Sequence, residues 1–160
     1  VGSPVVYDYS GGEGKKALLT AFGQQNISIS GKGVIDGQGG KVMKHILDQQ
    51  ARGYLKGTNP SVCPALILLD SCRNISVEGI ILKDAGGDVI RLIQSRQISF
   101  SWITGKSRIS DKSAGIRLSF SDSIKISHSF IDTSGKEILN EGGIKEVTIK
   151  DCFNAKGEKL

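Results

Sequence analysis

A short apolar motif recurs along the chain and restricts its folding more than any other feature. It reads Asn-Ile-Ser-Ile at Asn26 to Ile29 and Asn-Ile-Ser-Val at Asn74 to Val77. It returns as Gln-Ile-Ser-Phe at Gln97 to Phe100, Ser-Ile-Lys-Ile at Ser123 to Ile126 and Glu-Val-Thr-Ile at Glu146 to Ile149. The copies are 48, 23, 26 and 23 residues apart. A period of this size is the mark of a solenoid, in which each repeat buries its apolar face against the next.

Each copy has internal structure. An apolar segment precedes the motif by eight residues, so that Leu19, Ile67, Ile90 and Ile116 lead Ile27, Ile75, Ile98 and Ile124. Apolar residues alternate within each segment, which is the period of half-buried strands. A third short strand follows, with Ile80 and Leu82, Ile103, Ile131 and Cys152 at inward positions. Three short strands per turn make an all-β parallel β-helix of about five turns. A β-sandwich has similar strand spacing but needs no self-similarity along the chain. Glycines at Gly31, Gly79, Gly87, Gly105 and Gly135 suit the sharp corners of the solenoid.

The organisation expected is a single domain over residues 1–160, with repeats from 17 to 160 and a helical excursion over 41–56. Val42, Met43, Ile46 and Leu47 fall at helical spacing there, and their apolar face is expected to cover the solenoid's flank. His45 has no second ligand at metal spacing and is expected at the surface. Trp102 is expected to pack within a strand. The segment before Ala17 is expected to cap one end, whereas the last turn, Glu146 to Leu160, lacks an obvious cap. Truncation or self-association through the solenoid's end would account for that asymmetry.

At 38% hydrophobic over 160 residues the composition is that of an ordinary globular domain. No stretch approaches the roughly 18 apolar residues of a membrane span, and no signal peptide opens the chain. Cys63, Cys72 and Cys152 have no metal-ligand spacing, so free buried thiols are expected. The net charge of +5 is dispersed, with neither an arginine-rich helix nor an aromatic platform. Nucleic acid is therefore not the expected partner, and no metal or cofactor is expected.

Asn-Ile-Ser-Ile-Ser-Gly-Lys-Gly-Val-Ile-Asp-Gly-Gln-Gly-Gly, from Asn26 to Gly40, resembles the opening of the polygalacturonase-like glycoside hydrolases. The run from Ala65 to Gly86 is similar to that family's next turn, and Ser123 to Gly135 to the strand leading into its active site. The resemblance implies a right-handed β-helix, a polysaccharide partner that includes acidic, uronate-bearing chains, and a secreted or periplasmic location. It also implies two catalytic strands, one reading Asn-Thr-Asp-Gly-Ile-Asp and the next Gly-Asp-Asp-Cys-Ile. Inverting hydrolysis needs one carboxylic acid and one carboxylate across the scissile bond. The first strand here is Lys112-Ser113-Ala114-Gly115-Ile116-Arg117, with alanine in place of the aspartate. In the second, Ser134-Gly135-Lys136-Glu137-Ile138, the paired aspartates fall on Gly135 and Lys136 or on Lys136 and Glu137, depending on register. Glu137 is the one catalytic candidate. The family's His-Gly, due near Lys156 to Leu160, has no histidine.

Two readings follow, a catalytically degenerate or fragmentary hydrolase that still meets polysaccharide, and a structural or adhesive module. A lyase ranks below both, because Asp70, Asp84, Asp88 and Asp111 are too scattered for a calcium site. Arg91 and Arg117 fall at equivalent outward positions, about 4.8 Å apart in a parallel stack. Asp88 and Asp111 are close enough in sequence to compensate them. The candidate substrate-binding set is thus Arg91, Arg117, Asp88, Asp111 and Lys136, and the same arginines could equally form a purely structural ladder.

Overall fold

The computed structural model describes residues 16–54 and 63–160. The first coil consists of β1 (Ala17–Phe22), β2 (Gln25–Ser30) and β3 (Val34–Asp36), followed by the helix α1 (Gly39–Ala51). The second holds β4 (Ala65–Asp70), β5 (Arg73–Glu78) and β6 (Ile81–Lys83); the third holds β7 (Ile90–Ile93), β8 (Arg96–Ser101) and β9 (Thr104–Ser107). The fourth holds β10 (Ile116–Ser119), β11 (Asp122–Ser127) and β12 (Phe130–Thr133), and the last holds β13 (Ile138–Asn140) and β14 (Val147–Lys150).

Strands stack in three parallel sheets, β1-β4-β7-β10-β13, β2-β5-β8-β11-β14 and β3-β6-β9-β12. The chain is therefore a parallel β-helix. Among the described residues it has four complete coils and a fifth without a third strand, short of the five turns expected.

The motif residues meet one another in register. Ile27, Ile75, Ile98, Ile124 and Val147 form one inward column, and Ile67, Ile90, Ile116 and Ile138 another. Ile67, Ile90, Ile116 and Ile124 are fully buried, and Phe100, Leu82, Ile131 and Cys152 close the core between the sheets. All three cysteines are free and buried.

Corners require residues that turn sharply. Gly79 does so at φ 75°, and a Cβ there would come within 2.5 Å of the Gly31 carbonyl oxygen, so only glycine fits. The corner between the first and second sheets buries Cys72, Ser95 and Ser121. Ser95 Oγ accepts from the Cys72 amide at 3.0 Å and Ser121 Oγ from the Ser95 amide at 3.1 Å. The hydroxyls thereby satisfy amides that the turn removes from the sheet ladder.

Helix α1 ends at Ala51, short of residue 56; residues 55–56 lie outside the described set, as does the proposed N-terminal cap before Ala17 apart from Lys16. Val42 and Ile46 are buried against Cys63, with Met43 alongside. Leu47, expected on the same face, is 57% exposed because it lies past the edge of that contact. Trp102 also departs from expectation. It follows β8 as a corner residue at φ 53°, which breaks the strand's alternation and leaves the side chain 61% exposed.

Replacing Ile98 by Asp is expected to abolish the cooperative unfolding transition, since an unpaired carboxylate would sit within an apolar column. Circular dichroism on heating checks this, and a transition like that of the unmodified chain would contradict the packing described.

Candidate functional site

Strand register brings the charged candidates of the first sheet together on its outer face. Arg91 of β7 pairs directly with Arg117 of β10, yet each side chain is only 15% exposed. Two guanidinium groups one strand spacing apart repel. The compensation comes from Asp88, which is 1% exposed and lies just before β7. Its Oδ2 accepts from Arg91 Nε at 2.7 Å, from Arg91 Nη2 at 2.5 Å and from Arg117 Nε at 2.7 Å. Its Oδ1 accepts from the Ala114 amide at 2.7 Å and from Arg117 Nη2 at 3.1 Å.

Arg117 continues the network by donating to the Lys112 carbonyl at 3.2 Å and, through Nη1, to Glu141. Glu141 also accepts from the Ser119 hydroxyl at 2.6 Å. Two positive and two negative groups therefore balance on one face. Burial alone would raise the Asp88 carboxyl. The Arg117 hydrogen bond, the Arg91 charge, the Ala114 amide and the Arg117 charge together outweigh it and hold that carboxyl below its ordinary value.

Asp111 is exposed and is not among the hydrogen-bond partners of Arg117; Glu141 takes the place expected for it. The signal for Glu141 was weak, since it lies two residues beyond Leu139, the partner of Arg117 in a strand where the arginine column has already ended.

Glu137 and Lys136 lie just before β13. Ile116 pairs with Ile138, which sets Glu137 level with Gly115 and Lys136 level with Ala114. The same pairing sets Gly135 level with Ser113. A Cβ at Gly135 would come within 2.0 Å of the Ser113 carbonyl oxygen, so no carboxylate-bearing residue fits there without moving the backbone. Lys136 is exposed. Glu137 accepts from Asn154 Nδ2 at 3.2 Å, and the same amide donates to Glu158 at 2.7 Å, so its carboxylate faces the last coil.

Among the described residues no cluster of three or more His, Cys, Asp or Glu is placed to hold a metal, and no helix is long and apolar enough to cross a membrane.

Asp88→Asn is expected to cost about 3–5 kcal/mol in a urea titration, because it leaves two mostly buried arginines short of countercharge. The pH dependence follows from the lowered carboxyl. Its contribution is complete above the unfolded-state value of about 3.9 and is lost as pH falls through the lower folded-state value. Acid titration of the unmodified chain should therefore show loss of stability below about pH 4 that is largely missing from the variant.

The sequence pattern of the glycosyl hydrolases family 28 matches residues 3–158. A crystal structure of a candidate glycosyl hydrolase from Parabacteroides merdae ATCC 43184 superposes with a TM-score of 0.83 at 24% identity, covering 90% of this chain and 64% of that one. The Yersinia enterocolitica family 28 exopolygalacturonase superposes with a TM-score of 0.66 at 16% identity, covering 81% of this chain and 30% of that one. At these identities both likenesses speak to the fold, and the chain spans under two thirds of either structure. No curated protein matches it significantly by sequence. The β-helix architecture agrees with a sequence match that runs nearly from end to end, and the chain belongs to family 28 of the glycosyl hydrolases.

Proposed function

We propose that this chain is a polysaccharide-binding β-helix that does not itself hydrolyse glycosidic bonds by the two-carboxylate route, and that it works outside the cytoplasm on polymers of the kind its family meets. One observation carries the catalytic half of the proposal. With the two strands aligned on the Ile116–Ile138 pair, paired carboxylates would fall on Gly135, where no side chain fits, and Lys136. Ala114 stands level with Lys136, and Glu137 is turned onto Asn154. A lone glutamate cannot serve as both acid and base across one bond.

The arginine pair supports a narrower second reading, contact with an acidic sugar. Glu141 is 42% exposed and holds one edge of the Arg117 guanidinium. A uronate carboxylate has the same chemistry and competes for that edge, while Asp88 keeps both arginines in place. Arg91, Arg117 and Asp88 then orient the ligand, with Lys136 and Asp111 at the rim.

The catalytic half is tested by incubating the purified chain with polygalacturonate, the polymer suggested by the Yersinia enterocolitica exopolygalacturonase, and measuring reducing ends. No release above background is expected, and release abolished by Glu137→Gln would overturn it. For the second reading, Glu141→Gln frees the Arg117 edge and should strengthen binding to an oligogalacturonate several-fold at low salt, with the gain fading as salt screens it. Unchanged affinity in that variant leaves the arginines with a structural role alone.

A further inference from the structure

We propose that the outer face of the second sheet, bounded at one edge by Trp102 and His128, binds an extended polysaccharide chain. The proposal rests on the polysaccharide reading above but concerns a different face from the one that carries the arginines.

The residue that follows each strand of the second sheet is left-handed: Gly31, Gly79, Trp102, His128 and Asp151, with φ of 145°, 75°, 53°, 48° and 53°. In the first two coils glycine meets this demand without steric cost. In the third coil a tryptophan takes it, accepting a conformation unfavourable for any residue with a Cβ, and leaves its ring mostly in water. Core packing therefore does not account for Trp102. Its ring stacks on His128 in the next coil, with centroids 4.5 Å apart and planes 12° from parallel. His128 Nε2 in turn lies 3.6 Å from Asp151 Oδ2. One coil back, the position level with Trp102 is Gly79, which has no side chain to cover the indole, and the tryptophan is 61% exposed. The result is a flat aromatic surface held from one side and open on the other, the form that accepts the C–H face of a pyranose ring.

The sheet beside this platform supplies the matching polar groups. Its outward rows are Ser28, Ser76, Ser99, Lys125 and Thr148, then Ser30, Glu78, Ser101, Ser127 and Lys150. Hydroxyls that both donate and accept dominate, and the two lysines balance Glu78 and the neighbouring Glu146. A shallow groove crosses this face, lined by Asn74, Ser76, Gln97, Ser99, Lys125 and Glu146. The rows repeat at about 4.8 Å, the spacing of parallel strands, and successive units of an extended glycan advance by a comparable distance. A linear chain laid across the strands meets an equivalent set of hydroxyls at each step. The near-neutral rows distinguish this face from one built for anions.

Trp102 is the only tryptophan, so its emission reports on the site directly. The intact chain is titrated with hexagalacturonate and with cellohexaose, at low and at high salt, alongside affinity electrophoresis through gels containing polygalacturonate or hydroxyethyl cellulose. At least one probe is expected to give a saturable change in emission whose midpoint is insensitive to salt. Trp102→Gly restores the residue found in the first two coils, so the melting temperature should not fall, while affinity drops about tenfold, the scale of one lost stacking contact. Retention of the unmodified chain in a gel, with unchanged emission and equal retention of Trp102→Gly, would remove this site and leave the polysaccharide reading standing. Failure of the unmodified chain to bind any of these polymers would remove both.

Discussion

Everything in this molecule depends on the hydrogen-bonded register between coils, in which a residue meets the residue at the same position one turn later. A parallel ladder of this kind satisfies backbone donors and acceptors along the solenoid axis. It also forces side chains into columns of like kind. Inside, the consequence is favourable, because isoleucine stacks on isoleucine with no polar side-chain group to satisfy. Outside, the same rule sets charge beside charge. The first sheet therefore needs a buried aspartate to hold Arg91 and Arg117 together, and the corners need serines that reach along the stack to unpaired amides.

That constraint also limits where acidic groups can stand in neighbouring coils. The catalytic arrangement implied by the family's motifs demands acidic groups in neighbouring coils, a costly placement of like charges that a stack tolerates only for a purpose. Here Ala114 and Lys136 stand level in adjacent coils, and the Ser113 carbonyl lies too close to Gly135 for a side chain there. Two carboxylates at this face, Asp88 and Glu141, are tied to arginine.

Columns are legible in a sequence because they repeat. The inward positions of all three strands, the pairing of Arg91 with Arg117 and the burial of Cys152 all follow from period and alternation. What breaks the repeat is not legible in the same way. Trp102 continues the alternation of β8 on paper, with Phe100 inside and Ser101 outside, and only its left-handed backbone turns it out to solvent. Glu141 belongs to a coil where the arginine column has already given way to Leu139. Leu47 keeps helical spacing but overshoots the surface that the helix covers, which depends on a contact with Cys63 that no local pattern announces.

The three corners of the coil differ in how much chain they hold. In the second, third and fourth coils the first two corners are residues 71–72 and 79–80, then 94–95 and 102–103, then 120–121 and 128–129. The third corner takes in helix α1 after the first coil, then residues 84–89, 108–115 and 134–137. Through the first four coils nearly all variation in length is thus confined to one seam, which borders the first sheet's outer face and supplies Asp88 to it, whereas the fifth coil lengthens its first corner to 141–146. A lineage of such chains can lengthen or trim this seam and so reshape the wall beside that face, while the stack that holds the molecule together registers no change.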